Sequence, residues 1–487
     1  MKNEEIKRKT ISGFFWQFAR KVLGQFLGFL VTLVLARKLM PEEFGIVALC
    51  SMFITFIDLF VNSGINIALI QKKEVDELDY NTIFFSGLTF SLLAYVIIFF
   101  SAPFVAIWFH SPQVTSVLRV SSIAMLIGSF SMVQSAHVSR KLEFKKYFFS
   151  SLSGQTLSGI VGVTMACTGF GVWALVTQSL IKRLTSTTVL YFIVRWHPHW
   201  DFSFERFKGM YSFAWRQMVA NATATISEQL RGYVIGIKYS PADLAFYNRG
   251  EGLPGVVYNN VNGTINSVMF PALARLQDDK ARIRHGLSRS MKTSSYVIFP
   301  ALFGLAAVSD KIIVILYTAK WLPAVPFMQL ICIIYCFSLI GGANTQAITA
   351  MGRSDIVMKW ELIKRPIMLS ILAITAFISP LTIAIGQCIY SIGVCFFNAY
   401  PNKKIIGYPI RDQVLDVGGN FLLAISMALF VYLIGMLPIN IYFCLILQIF
   451  LGITFYISGS IIFKNDSMFY MKEFLQKKIG YGKHSKD

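Results

Sequence analysis

Thr82-Ile-Phe-Phe-Ser-Gly-Leu-Thr-Phe-Ser-Leu-Leu-Ala-Tyr-Val-Ile-Ile-Phe-Phe-Ser-Ala-Pro-Phe-Val-Ala-Ile-Trp108 contains no charged residue. Crossing about 30 Å of hydrocarbon takes about 20 mostly apolar residues, so this stretch is long enough to span a bilayer. The rest of the chain has the same character. Of 487 residues, 55% are hydrophobic and only 14% are charged, and the mean hydropathy is +0.58. A soluble domain carries roughly 25% charged residues because its surface faces water. This composition excludes a string of soluble domains and a disordered chain. It implies an all-α polytopic membrane protein.

Outward from 82–108, apolar segments of spanning length lie near 12–36, 44–69, 114–137, 147–167, 171–193, 211–237, 254–274, 293–316, 326–350, 358–378, 381–400, 415–436 and 439–463. The expectation is therefore about fourteen transmembrane helices. The loops between them are short, the longest outer one expected at about 238–253.

The chain has 45 Lys+Arg against 25 Asp+Glu, a formal charge of +20. Nucleic acid is not the implied partner, because no soluble domain exists to present a basic face. Sorted by gap, 32 cations fall at the N-terminus, after even-numbered spans and at the C-terminus, with Lys359, Lys364 and Arg365 read as interface residues of span 11. The alternate gaps hold Arg37, Lys38, Lys238, Arg249, Lys311 and Lys320. This positive-inside bias places both termini in the cytoplasm. The stretch 275–284 and the Lys-rich tail from Lys464 are suited to anionic lipid heads.

No cleavable signal peptide is expected, since Arg20 and Lys21 interrupt the first apolar stretch. The seven Cys lie in or beside apolar stretches, with no CxxC pair and no metal spacing. No P-loop, dinucleotide fingerprint or HExxH is present, so neither a cofactor nor a metal is expected. His197-Pro-His199 between Trp196 and Trp200 reads as part of an interfacial aromatic belt.

Residues 17–66 align with residues offset by 200. Gln17/Gln217, Lys38/Lys238, Pro41/Pro241, Asn62/Asn262 and Asn66/Asn266 are identical, and Glu43/Asp243 adds a matched acid. The implied organisation is a cytoplasmic N-terminus (1–10), a six-helix repeat (11–195), a cytoplasmic linker (196–210), a second six-helix repeat (211–400), two additional helices (401–463) and a basic cytoplasmic tail (464–487). Six is even, so the repeats are parallel, an arrangement known to enclose a central cavity.

Polar residues recur with helical spacing within the spans. In span 7, Gln217, Asn221, Ala224, Glu228 and Arg231 form one stripe. Span 1 answers with Gln17, Lys21, Gly24 and Gly28, with Arg20 beside them. Span 2 carries Ser51, Thr55, Asp58, Asn62 and Asn66, and span 8 carries Asn259, Asn262 and Asn266. With Arg119, Lys182, Arg183 and Arg216 the internal tally, charges toward the span ends set aside, is seven cations against Asp58 and Glu228. Each charge at the hydrocarbon centre costs at least about 2.5–3.5 kcal/mol, so these groups face one another or water. Snorkelling remains the alternative for Arg20, Lys21 and Arg216. Asp58 and Glu228 are either ion-coupling acids or structural pair partners. Gly24/Gly28 and Gly232/Gly236 have helix-packing spacing.

Leu35-Ala-Arg-Lys-Leu-Met-Pro-Glu-Glu-Phe-Gly-Ile-Val-Ala-Leu49 resembles the A-R-x-L-x-P-x-x-F-G signature of polysaccharide exporters. These are Wzx-type flippases of the multidrug/oligosaccharidyl-lipid/polysaccharide superfamily. Gly64–Lys73 with Asn81–Phe84, Gly171–Leu175, Phe270–Gln277 and Ala350–Arg353 continue the likeness in order. It is most similar to the branch of colanic-acid and teichuronic-acid exporters. The resemblance implies a fourteen-helix protein of the bacterial inner membrane, a transporter and not an enzyme. It would flip undecaprenyl-pyrophosphate-linked oligosaccharide for surface lipopolysaccharide or exopolysaccharide synthesis. Its partners would be that polyprenyl-linked substrate, membrane lipids, and polymerase and chain-length proteins of the export pathway.

On that reading Arg20, Lys21, Arg216 and Arg231 receive the pyrophosphate, with Arg119, Lys182 and Arg183 as further candidates. Asn62, Asn262 and Gln217 meet sugar hydroxyls, and Asp58 or Glu228 couples an ion. The stripe positions lie outside the family signature, so these roles rest on the helical wheel. A lipid II-type flippase or an ion-coupled multidrug antiporter of the same superfamily are the alternatives. A cationic cavity argues against the antiporter, which needs acid for cationic drugs. A polymerase or ligase would need a large outer loop.

Overall fold

The computed structural model describes residues 2–62, 69, 72, 74–276 and 279–469. Among the described residues there are seventeen α-helices, one 3-10 helix and no strand. They divide into two compact units, residues 1–245 and 246–487.

Unit 1 contains α1 (Lys2–Lys38), α2 (Pro41–Asn62), α3 (Glu77–Trp108), α4 (Gln113–Ser121), α5 (Ile123–Ser129), α6 (Met132–Lys141), α7 (Phe144–Cys167), α8 (Val172–Val194) and α9 (Phe204–Lys238). The unit boundary falls in the second turn of α10 (Pro241–Ala274). Unit 2 continues with α11 (Lys280–Ala307), α12 (Ser309–Tyr317), the 3-10 turn Ala319–Ala324, α13 (Val325–Ala350), α14 (Ser354–Thr375), α15 (Pro380–Ile406), α16 (Ile410–Ile434) and α17 (Ile441–Ile462).

Each expected span has a helical counterpart. Six helices are long and apolar enough to cross a membrane, or eight if each of two bent pairs counts as one span. Others, such as α9 with 35 residues and α10 with 34, have the length but carry the polar stripes.

The expectation of continuous helices at 114–137 and 293–316 is corrected. The first is three short helices, with a 46° bend between Ser129 and Met132. Serine hydroxyls capture carbonyls along it: Ser122 Oγ donates to Arg119 O (2.9 Å), Ser129 Oγ to Leu126 O (2.8 Å) and Ser131 Oγ to Gly128 O (3.1 Å). Such local bonds offer the backbone an alternative to the helical ladder. The second bends by 70° between Ala307 and Ser309. Ser309 Oγ donates to Ala306 O (2.8 Å), and Gln329 Nε2 bonds Ser309 Oγ (3.2 Å). The expected outer loop at 238–253 is a two-residue turn, because α10 starts at Pro241. Arg249 and Glu251 are therefore helical residues.

The +200 correspondence extends to helix ends. α1 and α9 stop at Lys38 and Lys238, and α2 and α10 start at Pro41 and Pro241. The matched acids do the same work: Glu43 Oε2 accepts from Met40 N–H (2.7 Å) and Asp243 Oδ2 from Ser240 N–H (3.1 Å). Each satisfies a backbone donor at a helix start. Proline at the first helical position loses nothing, since its missing N–H would be unpaired anyway.

Two glycines of the exporter-like segments are required by geometry. A Cβ on Gly45 would overlap the backbone of Pro241, and Gly171 has φ +57° with the Glu43 carboxylate against it. Only glycine takes that conformation at so little cost. Gly45 thus lets the starts of α2 and α10 meet, and Gly171 seats Glu43 at the start of α8.

α7 packs through its glycines. Gly159 seats Val31 of α1, Gly162 seats Gln178 and Gly154 seats Ser186 of α8. Ser150 and Ser186 exchange hydroxyl-to-carbonyl bonds of 2.7 and 3.1 Å. Small residues allow such close backbone approach where no hydrophobic force drives helices together in lipid. In unit 2, Leu273, Ile283, Leu302, Met427 and Tyr456 belong to one apolar core. A buried polar seam runs beside it, with Asn402 bonded to Asn344 (2.6 Å) and Asn344 to Gln413 (2.8 Å).

Candidate functional site

α1 exposes aromatic and cationic residues close together on its surface. Phe14, Phe18 and Phe26 are 75%, 60% and 56% exposed, and Arg20 and Lys21 are exposed as well. Lipid accommodates the phenylalanines; the cations need water or an anion. Arg20 Nε donates to Gln17 Oε1 (3.0 Å), and its guanidinium lies 5.8 Å from the Tyr147 ring. The repeat-matched Gln17 thus orients a cation. Lys21 has no hydrogen-bond or ion-pair partner among the described residues.

Lys182 and Arg183 stand on the exposed side of α8. They are about 15 Å from its start at Val172, at 1.5 Å per residue, which is half the hydrocarbon thickness. Arg183 lies across Gly128 of α5, where any larger residue would displace it. Neither cation has a hydrogen-bond or ion-pair partner among the described residues.

α9 is fixed on α2 by Tyr233 OH, which donates to Met52 O (2.8 Å). Gly232 and Gly236 seat Met52 and Leu49, so this glycine pair is a close crossing. The α1 pair is not: Gly24 has no atom within 4 Å and Gly28 meets only Gln155 Nε2 at 3.5 Å. On α9, Arg216 is exposed beside Trp215 (5.9 Å). Arg231 is half-buried, and its buried Nε has no hydrogen-bond partner among the described residues. An orphaned buried donor is costly and calls for a partner that none of the described residues supplies.

Arg119 is committed locally, its Nε donating to Phe99 O (3.0 Å) with its guanidinium 4.1 Å from the Phe99 ring centre. Asp58 is half-buried on α2. The side chains of Asn62, Gln217 and Glu228, and those of Asn66 and Asn266, lie outside what is described. Trp196 Nε1 donates to Glu77 Oε2 (2.9 Å), while Trp200 is exposed and stacks on Phe85 at 5.0 Å.

In unit 2, Asn262 Nδ2 donates to Tyr258 OH (3.3 Å). Tyr258 stacks on Tyr335 with centroids 4.5 Å apart, and Tyr335 OH donates to Glu251 Oε1 (2.8 Å). Sequence reasoning missed Glu251 because it assigned 238–253 to a loop; Pro41 and Pro241 as matched helix starts were the available signal. Lys364 corrects the reading of 359–365 as interface residues. It is 4% exposed and bonds Glu361 Oε1 and Asn398 Oδ1 (3.0 Å).

An ionic cluster also escaped the sequence reading. Asp79, fully buried at the start of α3, accepts from Lys72 Nζ (2.6 Å) and Arg206 Nη1 (3.0 Å). Arg206 Nη2 reaches Asp76 (3.0 Å), and Arg140 Nη1 caps Leu69 O (2.7 Å). The backbone N–H of Asp79 bonded to the Asp76 carboxylate holds its pKa below the usual value, with Arg206 and Lys72 assisting. His199 N–H and Ser203 N–H bond Asn81 and Thr82 (3.0 and 3.2 Å), so the chain before α9 is tied to α3.

Unit 1 thus offers guanidinium and ammonium groups, without partners among the described residues, within helices of membrane length. Such groups are the strong partners for phosphate oxygens. No group of three His, Cys, Asp or Glu that could hold a metal occurs among the described residues.

A family profile described as "Polysaccharide biosynthesis protein" matches residues 34–326. The lipopolysaccharide biosynthesis protein WzxC of Escherichia coli (strain K12) is 23% identical over 445 residues, 88% of each chain. The succinoglycan biosynthesis transport protein ExoT of Rhizobium meliloti (strain 1021) is 23% identical over 349 residues, covering 72% of this chain and 71% of its own. The teichuronic acid biosynthesis protein TuaB of Bacillus subtilis (strain 168) is 24% identical over 310 residues, 63% and 64%. Among solved structures, the lipid II flippase MurJ in an inward closed conformation superposes with TM-score 0.75 at 15% identity, over 93% of this chain and 100% of that one. An inward-facing MATE multidrug transporter gives 0.59 at 12% identity, over 78% and 94%. These two likenesses concern the fold.

Proposed function

The chain belongs to the polysaccharide biosynthesis protein family, and from that premise we propose that it flips undecaprenyl-pyrophosphate-linked oligosaccharide across the bacterial inner membrane. The coarse statement, a multi-pass transporter of polysaccharide biosynthesis, follows from the family and the helical fold. The lipid-linked substrate, the alternating access and the cytoplasmic termini are the proposal.

The observation that carries it is the set of cations in helices of membrane length that no described residue pairs: Lys21, Lys182, Arg183 and the Arg231 Nε. A pyrophosphate headgroup loses its hydration on entering the membrane, and an uncompensated charge there costs far more than a paired one. Charge-assisted bonds from these groups replace the lost water, while the polyprenyl tail stays in lipid. Arg20, held by Gln17, and Arg216 complete the set. Asn262, Asn62 and Gln217 are assigned to sugar hydroxyls, Arg119 to a supporting position, and Asp58 and Glu228 to ion coupling.

The test is complementation of a deletion strain. Arg20→Ala, Arg216→Ala and Arg231→Ala are each expected to insert normally and to lose surface polysaccharide, with lipid-linked repeat units left facing the cytoplasm. Normal surface polymer from all three variants overturns the cationic-cavity reading. Altered drug tolerance with normal polymer in the deletion strain overturns the flippase reading itself.

A further inference from the structure

Unit 2 has a basic pocket that lies outside the set of residues assigned to the proposed substrate. Three helix termini meet there: the start of α11, the end of α15 and the start of α16. The cavity is about 790 Å³, lined among others by Lys280, Arg284, His285, Lys403, Lys404 and Leu415. This is the size of a small-ligand site.

Its two acids are already neutralised. Asp412 pairs with Arg284 Nη2 (2.8 Å). Asp416 accepts from Ser288 Oγ (2.5 Å), Tyr408 OH (2.5 Å) and Lys292 Nζ (3.1 Å). Tyr408 is fully buried and fixes the floor. Lys280, Lys403 and Lys404 are exposed, with no hydrogen-bond or ion-pair partner among the described residues. The pocket therefore presents three ammonium groups that no described residue pairs, over a charge-compensated floor.

Its mouth continues into an apolar track. Leu415 lines the pocket and begins a stripe on α16 with Leu422, Leu429 and Leu433, exposed by 70%, 68%, 60% and 55%. Spacings of 7, 14 and 18 residues keep these on one face. The stripe is about 27 Å long, close to the hydrocarbon thickness. The cationic-loop bias expected from the sequence assigns this end to the cytoplasmic surface.

We propose that this pocket is a binding site for an anionic phospholipid, its phosphate among Lys280, Lys403 and Lys404 and an acyl chain along the Leu415–Leu433 stripe. A basic recess between helices at the membrane surface recognises lipid phosphate through its point charges. A soluble anion would use the lysines but gain nothing from the stripe.

The test uses the intact protein in neutral detergent, titrated with phosphatidylglycerol and, separately, with phosphatidylcholine of the same chains. Binding is read from thermal-midpoint shifts. Phosphatidylglycerol is expected to bind at least about tenfold tighter than phosphatidylcholine, and Lys280→Gln/Lys403→Gln/Lys404→Gln to lose roughly a hundredfold of that affinity at about fivefold per lysine. A control, Arg195→Gln/Lys208→Gln, removes cations from unit 1 and is expected to bind normally. Unchanged binding by the triple variant overturns the proposal, as does equal binding of phosphatidylcholine. So does competition by inorganic phosphate at the lipid's own concentration, which would mark a free-anion site. Equal loss in the control would reduce the effect to net charge and likewise overturn it. All the substituted lysines and arginines are exposed, so these variants fold.

Discussion

Asp79→Ala removes the centre of the ionic cluster that ties the start of α9 to the start of α3. The carboxylate is 0% exposed and takes two cations, Lys72 and Arg206, and one backbone donor, Asp76 N–H at 3.3 Å. Breaking a fully buried ion pair costs about 3–5 kcal/mol, mostly from the charge left behind. Here the cations left behind are 33% and 39% exposed, so water recovers part of that loss and the lower end, about 3 kcal/mol, applies. For a unit of 150–250 residues, 1 kcal/mol moves the melting temperature by about 2–4 °C, so a fall of about 6–12 °C is expected. Asp79→Asn keeps the shape and one acceptor and is expected to cost about half as much. The assay is thermal unfolding of the purified protein, with a double-mutant cycle against Arg206→Gln to isolate the pair. A fall below about 2 °C for Asp79→Ala, or strict additivity in the cycle, would refute the reasoning that this cluster holds the α9 linker.

Gly159→Leu forces a side chain into the place of Val31 and is expected to cost about 1–3 kcal/mol, read as a lower melting temperature; a neutral result would show that α1 and α7 do not meet there. Lys364→Met is expected to cost under about 1.5 kcal/mol, because an apolar chain replaces a buried ion. Glu361→Ala leaves the ammonium with Asn398 alone and is expected to cost about 2–3 kcal/mol. The opposite order would reverse the assignment of Lys364 as the buried member. The Asp76 carboxyl is held below its ordinary 3.8 by the Asp79 N–H bond. Its contribution is thus fully present above pH 3.8 and lost only as pH falls through the lowered value. Any Asp76-dependent loss of stability between pH 7 and 5, absent in Asp76→Asn, would contradict this.

The apolar segments of about 20 residues, the uneven sharing of Lys and Arg between alternate gaps and the 200-residue correspondence are linear properties, and the apolar segments determined the helical membrane class. The matched helix starts at Pro41 and Pro241 were legible in the same local chemistry, proline with an acid three residues into a cap, although the 238–253 stretch itself reads as a loop. Local chemistry did not reveal the breaks at Ser129–Met132 and Ala307–Ser309, where hydroxyls and a side chain from α13 compete for the backbone. Nor could a helical wheel tell which cations are free. Arg119, on paper equivalent to Arg183, is used up by Phe99, while Lys182 and Arg183 have no partner among the described residues. Lys364, on paper an interface residue, is buried because α15 brings Asn398 against it. Asp79 is enclosed by Lys72 and Arg206, the latter 127 residues away in sequence. Periodicity reports which residues share a face of one helix. Whether a charge on that face finds a partner, water or an empty place depends on what other helices bring to it, and only the tertiary structure decides that.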